Sequence, residues 1–398
     1  MELVRAPEFS KATSSFPLDL DERVVSMITA NIDFPSTEIV PGLHPHRQQH
    51  HGVIIVGTCS VDAQGEDAPS RGRILVFKVE HNPDPTLSKE DCERYHKQLG
   101  RPATKPTLKQ IASVELRGPI SALGTIDGKI LAATGNLPCS VKLLELNSRN
   151  EGLIPIGFYD APTCVVSINV IRDEFVLLAD MNKSIHFIRW KDRQFTCLGK
   201  SFDSIRVFSS EFLVDSSRLV LCAADDDANI RLWHYDPEAQ DLHIRSELNI
   251  GCRVVKVKTK RVAPLPPKQD DSSLVISKAN SSDSGLRWVA VFGTLSGGLS
   301  AVLPIEEKVY RRLELLQKAL IESPMVYRNA GLHPLQCAIP KGSRKLQKNK
   351  TTFIVDGRIL WRFVDLEKVS QRKIAMSIGS IVETILDTLL EIELQTSW

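Results

Sequence analysis

The chain has 398 residues, 42% hydrophobic and 25% charged, with a formal net charge of +2. That length buries a substantial core, and so balanced a charge excludes a large basic field for nucleic acid or membranes; any such contact is local. No run approaches the ~18 apolar residues that span a bilayer, and MELVRAPEFSKATSSFP has no apolar signal core, so the expected compartment is cytosol or nucleus.

Residues 1–20 read as a polar arm. The next stretch, PGLHPHRQQHH, brings together His44, His46, His50 and His51, close enough to chelate a transition metal. Nothing beside them completes the outer hydrogen-bond shell that fixes ligand rings, which favours a solvated loop. GVIIVGTCSV and RGRILVFKV then form two β-branched runs split by an acidic loop. The insertion after them, HNPDPTLSKEDCERYHKQLGRPATKPT, is too polar to make a core.

Three strand–turn–strand units follow: KILAATGNLPCSVKLLEL (129–146), VLLADMNKSIHFIRW (176–190) and LVLCAADDDANIRLWHY (219–235). Their spacing of about 45 residues is that of a propeller with four short strands per blade. One blade is legible in full, as SIRVFSSEFLV, RLVLCAA, NIRLWHY and DLHIRSELNI. Within it Asp225, Asp227 and Asn229 have the spacing of calcium ligands. The sixth loop position, however, holds Ile230 where a sharp turn needs Gly, and the twelfth holds Asp236 where a bidentate Glu is needed. The segment is therefore read as a hairpin turn, its side chains accepting bonds from turn amides.

Lys256, Lys258, Lys260 and Arg261 stand at the edge of a third insertion, KTKRVAPLPPKQDDSSLVISKANSSDSG. They are candidate nucleic-acid contacts. WVAVFGTLSGGLSAVLPI supplies a fifth hairpin; its GTLSGG lacks the Gly-Lys-Ser/Thr ending of a phosphate loop and lies between two strands. Residues 21–305 are thus expected to hold four nearly complete blades and the inner hairpin of a fifth. An unclosed end exposes sheet edge. Either blades are missing from this polypeptide or one lies before residue 50.

From about residue 305 the period changes to that of a helix. EEKVYRRLELLQKAL sets Val309, Leu313, Leu316 and Leu320 in one stripe, opening with Glu306 and Glu307 at the positive end, and Pro324 interrupts it. KGSRKLQKNK, with Lys341, Arg344, Lys345, Lys348 and Lys350, is the one dense basic run, suited to RNA phosphates or nuclear import; a solvated loop fits it equally. It has no aromatic residue to stack a base. DGRILWRFVDL, SQRKIAMSI and SIVETILDTLLEIEL complete a small helical domain, 306–398, in which Ser380 and Glu383 have capping-box spacing and Ile381, Ile385, Leu389 and Ile392 form a stripe. The eight cysteines show no CxxC pair and no zinc spacing, and no hydrolase or metalloprotease motif is present. No catalytic site, metal or cofactor is expected. The fold expected is mainly β: a WD-repeat-like propeller, partial or incompletely closed, with a helical tail.

In their order, RGRILVFKV, LRGPISALG, LLADMNKSIHFIRW, GTLSGG, EEKVYRRLELLQKAL, AGLHP, FIVDGRILWRF and IAMSIGSIVETILDTLLEIE resemble the C-terminal region of the large subunit of the cleavage and polyadenylation specificity factor. That family shares its architecture with the large subunit of the damage-specific DNA-binding protein and with the propeller subunit of splicing factor 3b. YRRLELLQ, VDG and the terminal helix carry the resemblance most specifically, and AGLHP favours the polyadenylation branch. Ser296 and Leu335 depart from the family pattern. The resemblance implies three propellers in the family, this chain holding most of the last and the helical domain after it. It also implies that strands from a distant N-terminus, here a separate chain, complete that propeller. The implied function is a non-enzymatic nuclear scaffold of pre-mRNA 3′-end processing, partnered by a second propeller subunit and a zinc-finger subunit. Tyr310, Arg311, Arg312, Asp356 and Gly357 are the expected contacts, against an internal reading in which the arginines pair with tail carboxylates and Asp356-Gly357 starts a helix. The alternative is a nucleic-acid-binding propeller of the damage-recognition or splicing type.

Overall fold

Alternating β-branched and small residues, punctuated by Asp-, Asn- and Gly-rich turns, fold into antiparallel meanders of four strands. The computed structural model describes residues 2–4, 12–33, 50–60, 71–83, 104–135, 139–147, 152–215, 218–262, 287–322 and 353–396. A hairpin of β1 (Glu2–Val4) and β2 (Ala12–Ser15) precedes the first meander. That meander is β3 (Glu22–Asp33), β4 (His50–Ser60), β5 (Arg71–Pro83) and β6 (Thr104–Arg117). The second is β7 (Ile120–Ile126), β8 (Lys129–Thr134), β9 (Cys139–Asn147) and β10 (Gly152–Ala161). A single parallel bridge, Gly152 to Ser113, joins the two into one eight-stranded sheet.

The third sheet comprises β11 (Val165–Ile171), β12 (Phe175–Asp180), β13 (Ser184–Lys191) and β14 (Gln194–Lys200). The fourth comprises β15 (Val207–Asp215), β16 (Arg218–Asp225), β17 (Asn229–Asp236) and β18 (Asp241–Asn249). A fifth sheet has three strands among the described residues: β19 (Val254–Val262), β20 (Arg287–Thr294) and β21 (Leu299–Val302). Among the described residues the helices that follow are α1 (Glu307–Glu322), α2 (Gly357–Leu360), continued by a 3-10 turn over Trp361–Phe363, α3 (Lys368–Ser377) and α4 (Val382–Thr396). The fold is mainly β, built of propeller-type blades with a helical tail, as the strand signals require. The chain divides into two compact units, residues 1–182 with 187–197, and residues 183–186 with 198–398.

One local device recurs in all five sheets. The first strand carries a bulge opposite the end of the second, where Val24, Ile120, Val165, Val207 and Val254 face Thr58, Thr134, Asp180, Asp225 and Thr294. Pairing resumes as Ser26–Gly57, Ala122–Ala133, Ser167–Ala179, Ser209–Ala224 and Lys256–Gly293. In the third, fourth and fifth sheets the Asp or Thr then closes the following turn. Asp180 accepts the amides of Thr163 at 3.0 Å and Asn182 at 2.9 Å, and the Thr294 hydroxyl donates to the Gly298 carbonyl at 2.9 Å. In the first, second and fourth sheets the residues at which pairing resumes are Ser, Ala or Gly, and the neighbouring sheet packs on them.

A Cβ on Gly57 would lie 2.6 Å from Ile120 of the second sheet, whose carbonyl accepts the Ser26 hydroxyl at 3.0 Å. Ile74 completes that face and is fully buried with Ile120, Leu123 and Ile130. Ala122, Ala133 and Val141 meet Val165, Ile168 and Val176 of the third sheet in the same way. In the other unit, Ala224 and Ile230 pack against Val254, Val257 and Phe292 of the fifth sheet, and Ser209 Oγ accepts the Val257 amide at 3.0 Å. Between the first and second, second and third, and fourth and fifth sheets the contact is therefore apolar burial with a serine hydrogen bond across it.

Two local expectations change. His50 and His51 are strand residues, their backbones paired with Asp33 and Ile32, because the β-branched run of β4 extends the ladder back to them; His44 and His46 lie outside the described residues. Ser380 does not cap α4, which begins at Val382. Its amide donates to the Ala375 carbonyl at 2.9 Å while Gly379, at φ +68°, donates to Met376, so the Ser380 amide is already committed to the αL ending of α3. Ile381 is correspondingly exposed, whereas Ile385 and Leu389 are buried as the stripe predicts. Within residues 1–20, Phe16 packs edge-on against Phe77 at 4.9 Å and Leu18 joins the same cluster.

Candidate partner-binding surfaces

The helical tail is held by its own core. Leu313, Leu316 and Leu320 of α1 are buried with Ile359, Leu360, Phe363, Ala375, Ile385 and Leu389. At roughly 1.5–3 kcal/mol per buried side chain, this burial is what orders the helices. Asp356 caps α2, accepting the Arg358 amide at 2.9 Å, and its own amide donates to Gln317 Oε1 of α1 at 2.7 Å. The Arg358 guanidinium is bound by the same carboxylate at 2.7 Å and donates to the Ile250 carbonyl at 3.0 Å. Arg358 thus ties the start of α2 to the end of the fourth sheet.

A second tie is aromatic. Phe353, at φ +48°, stacks with Tyr310 at 6.4 Å, and the Arg245 guanidinium of β18 lies 5.3 Å from its ring centre. Desolvation, with the Glu314 carboxylate beside it, pushes the Tyr310 phenol up. Arg311 pairs with Glu307 one turn away, Arg312 is half-buried on the same helix, and Gly357 is exposed. Of the five expected contacts, then, Tyr310, Arg311 and Asp356 are engaged inside the tail. Lys341, Arg344, Lys345, Lys348 and Lys350 lie outside the described residues.

The Asp225–Asn229 segment is an internal hub. Asp225 accepts the Asn229 amide at 2.8 Å and its side-chain amide at 2.9 Å, and Arg231 lies 3.1 Å from the same carboxylate. Asn249 bridges Asn229 Oδ1 at 2.8 Å and the Asp227 carbonyl at 2.9 Å. Desolvation outweighs these partners and raises the Asp225 pKa. The carboxylate spacing that suggests calcium is consumed by turn amides and an arginine.

The lysines of β19 form a different surface. Lys256, Lys258 and Lys260 alternate along the strand and are exposed, while Val257 between them is buried toward the fourth sheet. Arg261 lies on the same strand, its side chain outside the described residues. Lys258 Nζ is 3.6 Å from Glu211 of β15, a residue buried to 8% exposure whose carboxyl is pushed up by desolvation despite that lysine. Desolvation and then the Lys258 charge draw the Lys256 ammonium below the usual lysine value. Next to them Leu299 is 66% exposed, and the Cys252 thiol donates to Ser296 Oγ at 3.1 Å.

Arg358, Glu211 and Leu299 escape a reading by residue pattern. Arg358 is one arginine among many until the backbone turns it onto Ile250. The repeat of Gly57, Ala133, Ala224 and Gly293 at strand-two ends is the sequence signal that finds Leu299, since each aligns one residue of the third strand.

The family model described as "CPSF A subunit region" matches residues 1–365. The chain is 30% identical over 372 residues to "Cleavage and polyadenylation specificity factor subunit 1" of Arabidopsis thaliana, covering 91% of this chain and 23% of that protein. It is 28% identical over 407 residues to the "Probable cleavage and polyadenylation specificity factor subunit 1" of Oryza sativa subsp. japonica, covering 100% and 25%. Against the Drosophila melanogaster protein named "Cleavage and polyadenylation specificity factor subunit 1" it is 29% identical over 339 residues, covering 82% and 21%. The chain spans about a quarter of the length of these relatives, while the family model takes in all the described strands together with α1 and α2. The chain belongs to the CPSF A subunit region family.

Proposed function

We propose that this chain is a non-enzymatic scaffold of the nuclear machinery that cleaves and polyadenylates pre-mRNA. The observation that carries the reading is its match, over nearly its whole length, to proteins named as subunit 1 of the cleavage and polyadenylation specificity factor. Rigid four-stranded blades and a helical tail offer broad surfaces for holding other subunits. The partners proposed are a second propeller subunit, a zinc-finger subunit and a separate chain that completes the blades. Its helical domain would be residues 306–398 and its blades residues 21–305, with residues 1–20 as an arm.

The test is affinity purification of the tagged 398-residue chain from its own cells, with and without ribonuclease, followed by mass spectrometry. Polyadenylation-factor subunits are expected to remain after ribonuclease. Recovery of splicing or DNA-repair complexes in their place overturns the assignment. The alternating lysines of β19 support a second reading, direct nucleic-acid binding by Lys256, Lys258, Lys260 and Arg261 with the basic run 341–350.

A further inference from the structure

We propose that two copies of this chain associate through the helical tail, the basic outer face of α3 in one copy lying against the acidic outer face of α4 in the other. The reverse contact closes a twofold dimer. The association goes beyond the scaffold reading and does not depend on it.

Both helices bury one face in the same core, where Ala375 of α3 meets Ile385 and Leu389 of α4. Residues three, four and seven apart share a helix face. Away from Gln371 and Ala375, α3 aligns Val369, Arg372, Lys373 and Met376, with Val369 62% and Met376 77% exposed. Away from Ile385 and Leu389, α4 aligns Glu383, Asp387, Leu390 and Leu394, the leucines 52% and 51% exposed. Each outer face therefore mixes charge with large apolar side chains left in water.

The charges divide by sign. α3 carries Lys368, Arg372 and Lys373 and no acid, whereas α4 carries Glu383, Asp387, Glu391 and Glu393 and no base. The outer face of α1 has the opposite pattern: its charges are of both signs and pair along the helix, Glu307 with Arg311 and Glu314 with Lys318 at 2.9 Å. Neither α3 nor α4 can pair its charges within itself in that way. Lys368 and Glu393 also stand against the dipole of their own helix. Lys368 occupies the first turn of α3, where the positive end disfavours a cation, and Glu393 the last turn of α4, where the negative end disfavours an anion. Local choices that weaken a helix point to a demand from outside it.

The occupant follows from the complementarity of these faces. A basic face with apolar ends fits an acidic, partly apolar helix, and the chain itself carries one a few residues later. Because α3 and α4 are joined by residues 378–381 and pack on one core, their outer faces point away from it and cannot meet within one chain. A second copy brings both pairs together at once, and a twofold axis makes the two contacts identical and closes the assembly. Nucleic acid would suit α3 alone and be repelled by the acids of α4.

The experiment is sedimentation velocity on the full 398-residue chain across a range of protein and salt concentrations. A monomer–dimer equilibrium that weakens with salt is expected. The reversals K368E/R372E/K373E and E383K/D387K/E391K are each expected to weaken dimerisation by at least about tenfold. A mixture of the two variants is expected to dimerise again, since one then has two acidic helices and the other two basic ones; misfolding does not produce that recovery. Met376→Asp, a surface change, is expected to weaken association without altering thermal unfolding. A chain that stays monomeric, a dimer indifferent to the reversals, or no recovery in the mixture overturns the proposal.

In cells, two differently tagged copies are expressed together and one tag is purified in the presence of ribonuclease. Recovery of the second tag, lost with K368E/R372E/K373E, supports the proposal. With a photo-crosslinking residue at position 376, a crosslink to α4 of the other copy supports it, and a crosslink to a different polypeptide or to RNA in its place overturns it.

Discussion

Glu22 shows how one buried charge is made tolerable. Its side chain is 2% exposed, accepts Arg73 Nε at 2.9 Å and the Asp19 amide at 3.1 Å, and also accepts Thr58. The Arg73 hydrogen bonds, against the opposing effect of desolvation, hold its pKa at about 2 instead of the ordinary 4.5. A depressed folded-state pKa means stability that is present above the unfolded value and lost as pH falls from 4.5 toward 2. At about 1.4 kcal/mol per unit the shift is worth up to about 3 kcal/mol, reduced to about 2 by solvent screening at the partly exposed Arg73. Glu22→Gln is therefore expected to flatten the loss of stability across that window, measured by urea unfolding of both proteins at a series of pH values. An unchanged slope would show that Glu22 is not the controlling group. Asp225 works in the opposite sense: its pKa is raised, so its stabilising contribution falls as pH rises through the window above the unfolded value.

At the level of the element, the strand-two glycines give a paired prediction. Gly57→Ala forces a Cβ to within 2.5 Å of Ser26 Oγ and 2.6 Å of Ile120, so it is expected to destabilise by about 1–3 kcal/mol. Gly293→Ala meets open space and is expected to be neutral or stabilising by up to about 1 kcal/mol. Denaturant midpoints of the two variants check this; equal losses would mean that the fifth sheet is already covered. The junction of tail and blade rests on a polar tie instead. Arg358→Ala removes the bonds to Asn249 and Ile250 and the pairing with Asp356. It is expected to cost about 1–2 kcal/mol. Hydrogen exchange should speed up over residues 353–363 while the first sheet keeps its protection. Uniform loss of protection would show instead that the tail and blades unfold as one.

For the whole molecule, the question is what the exposed surfaces hold. With a net charge of +2, nucleic-acid affinity must come from local lysines. A scaffold is expected to bind single-stranded RNA weakly at about 150 mM salt and to show a shallow slope of log affinity against log salt. A direct binder using Lys256, Lys258, Lys260 and Arg261 would lose about one unit of slope for each phosphate contact removed by substitution. Filter binding across a salt series separates the two, and a steep slope that falls with lysine substitution would favour the nucleic-acid reading over the scaffold.

Period and turn chemistry by themselves determined the blades. Strands as short as VLLAD and IHFIRW, with a polar turn between them and recurrence at about 45 residues, admit few other folds. The stripe of Leu313, Leu316 and Leu320 likewise fixed the face that α1 buries. Local pattern failed wherever a group's partner is distant in the chain. Ser380 has capping-box spacing, but the αL turn at Gly379 commits its amide to Ala375. Asp225 and Asp227 have ligand spacing, but Arg231 and Asn249, brought in by register, use that geometry. The exposure of Leu299 could be decided only by tertiary structure: its counterparts in register, Ile74, Val141 and Ile230, are apolar residues of the same kind, and what distinguishes them is whether another sheet lies on top. Burial is a property of neighbours, which a strand's own residues do not specify.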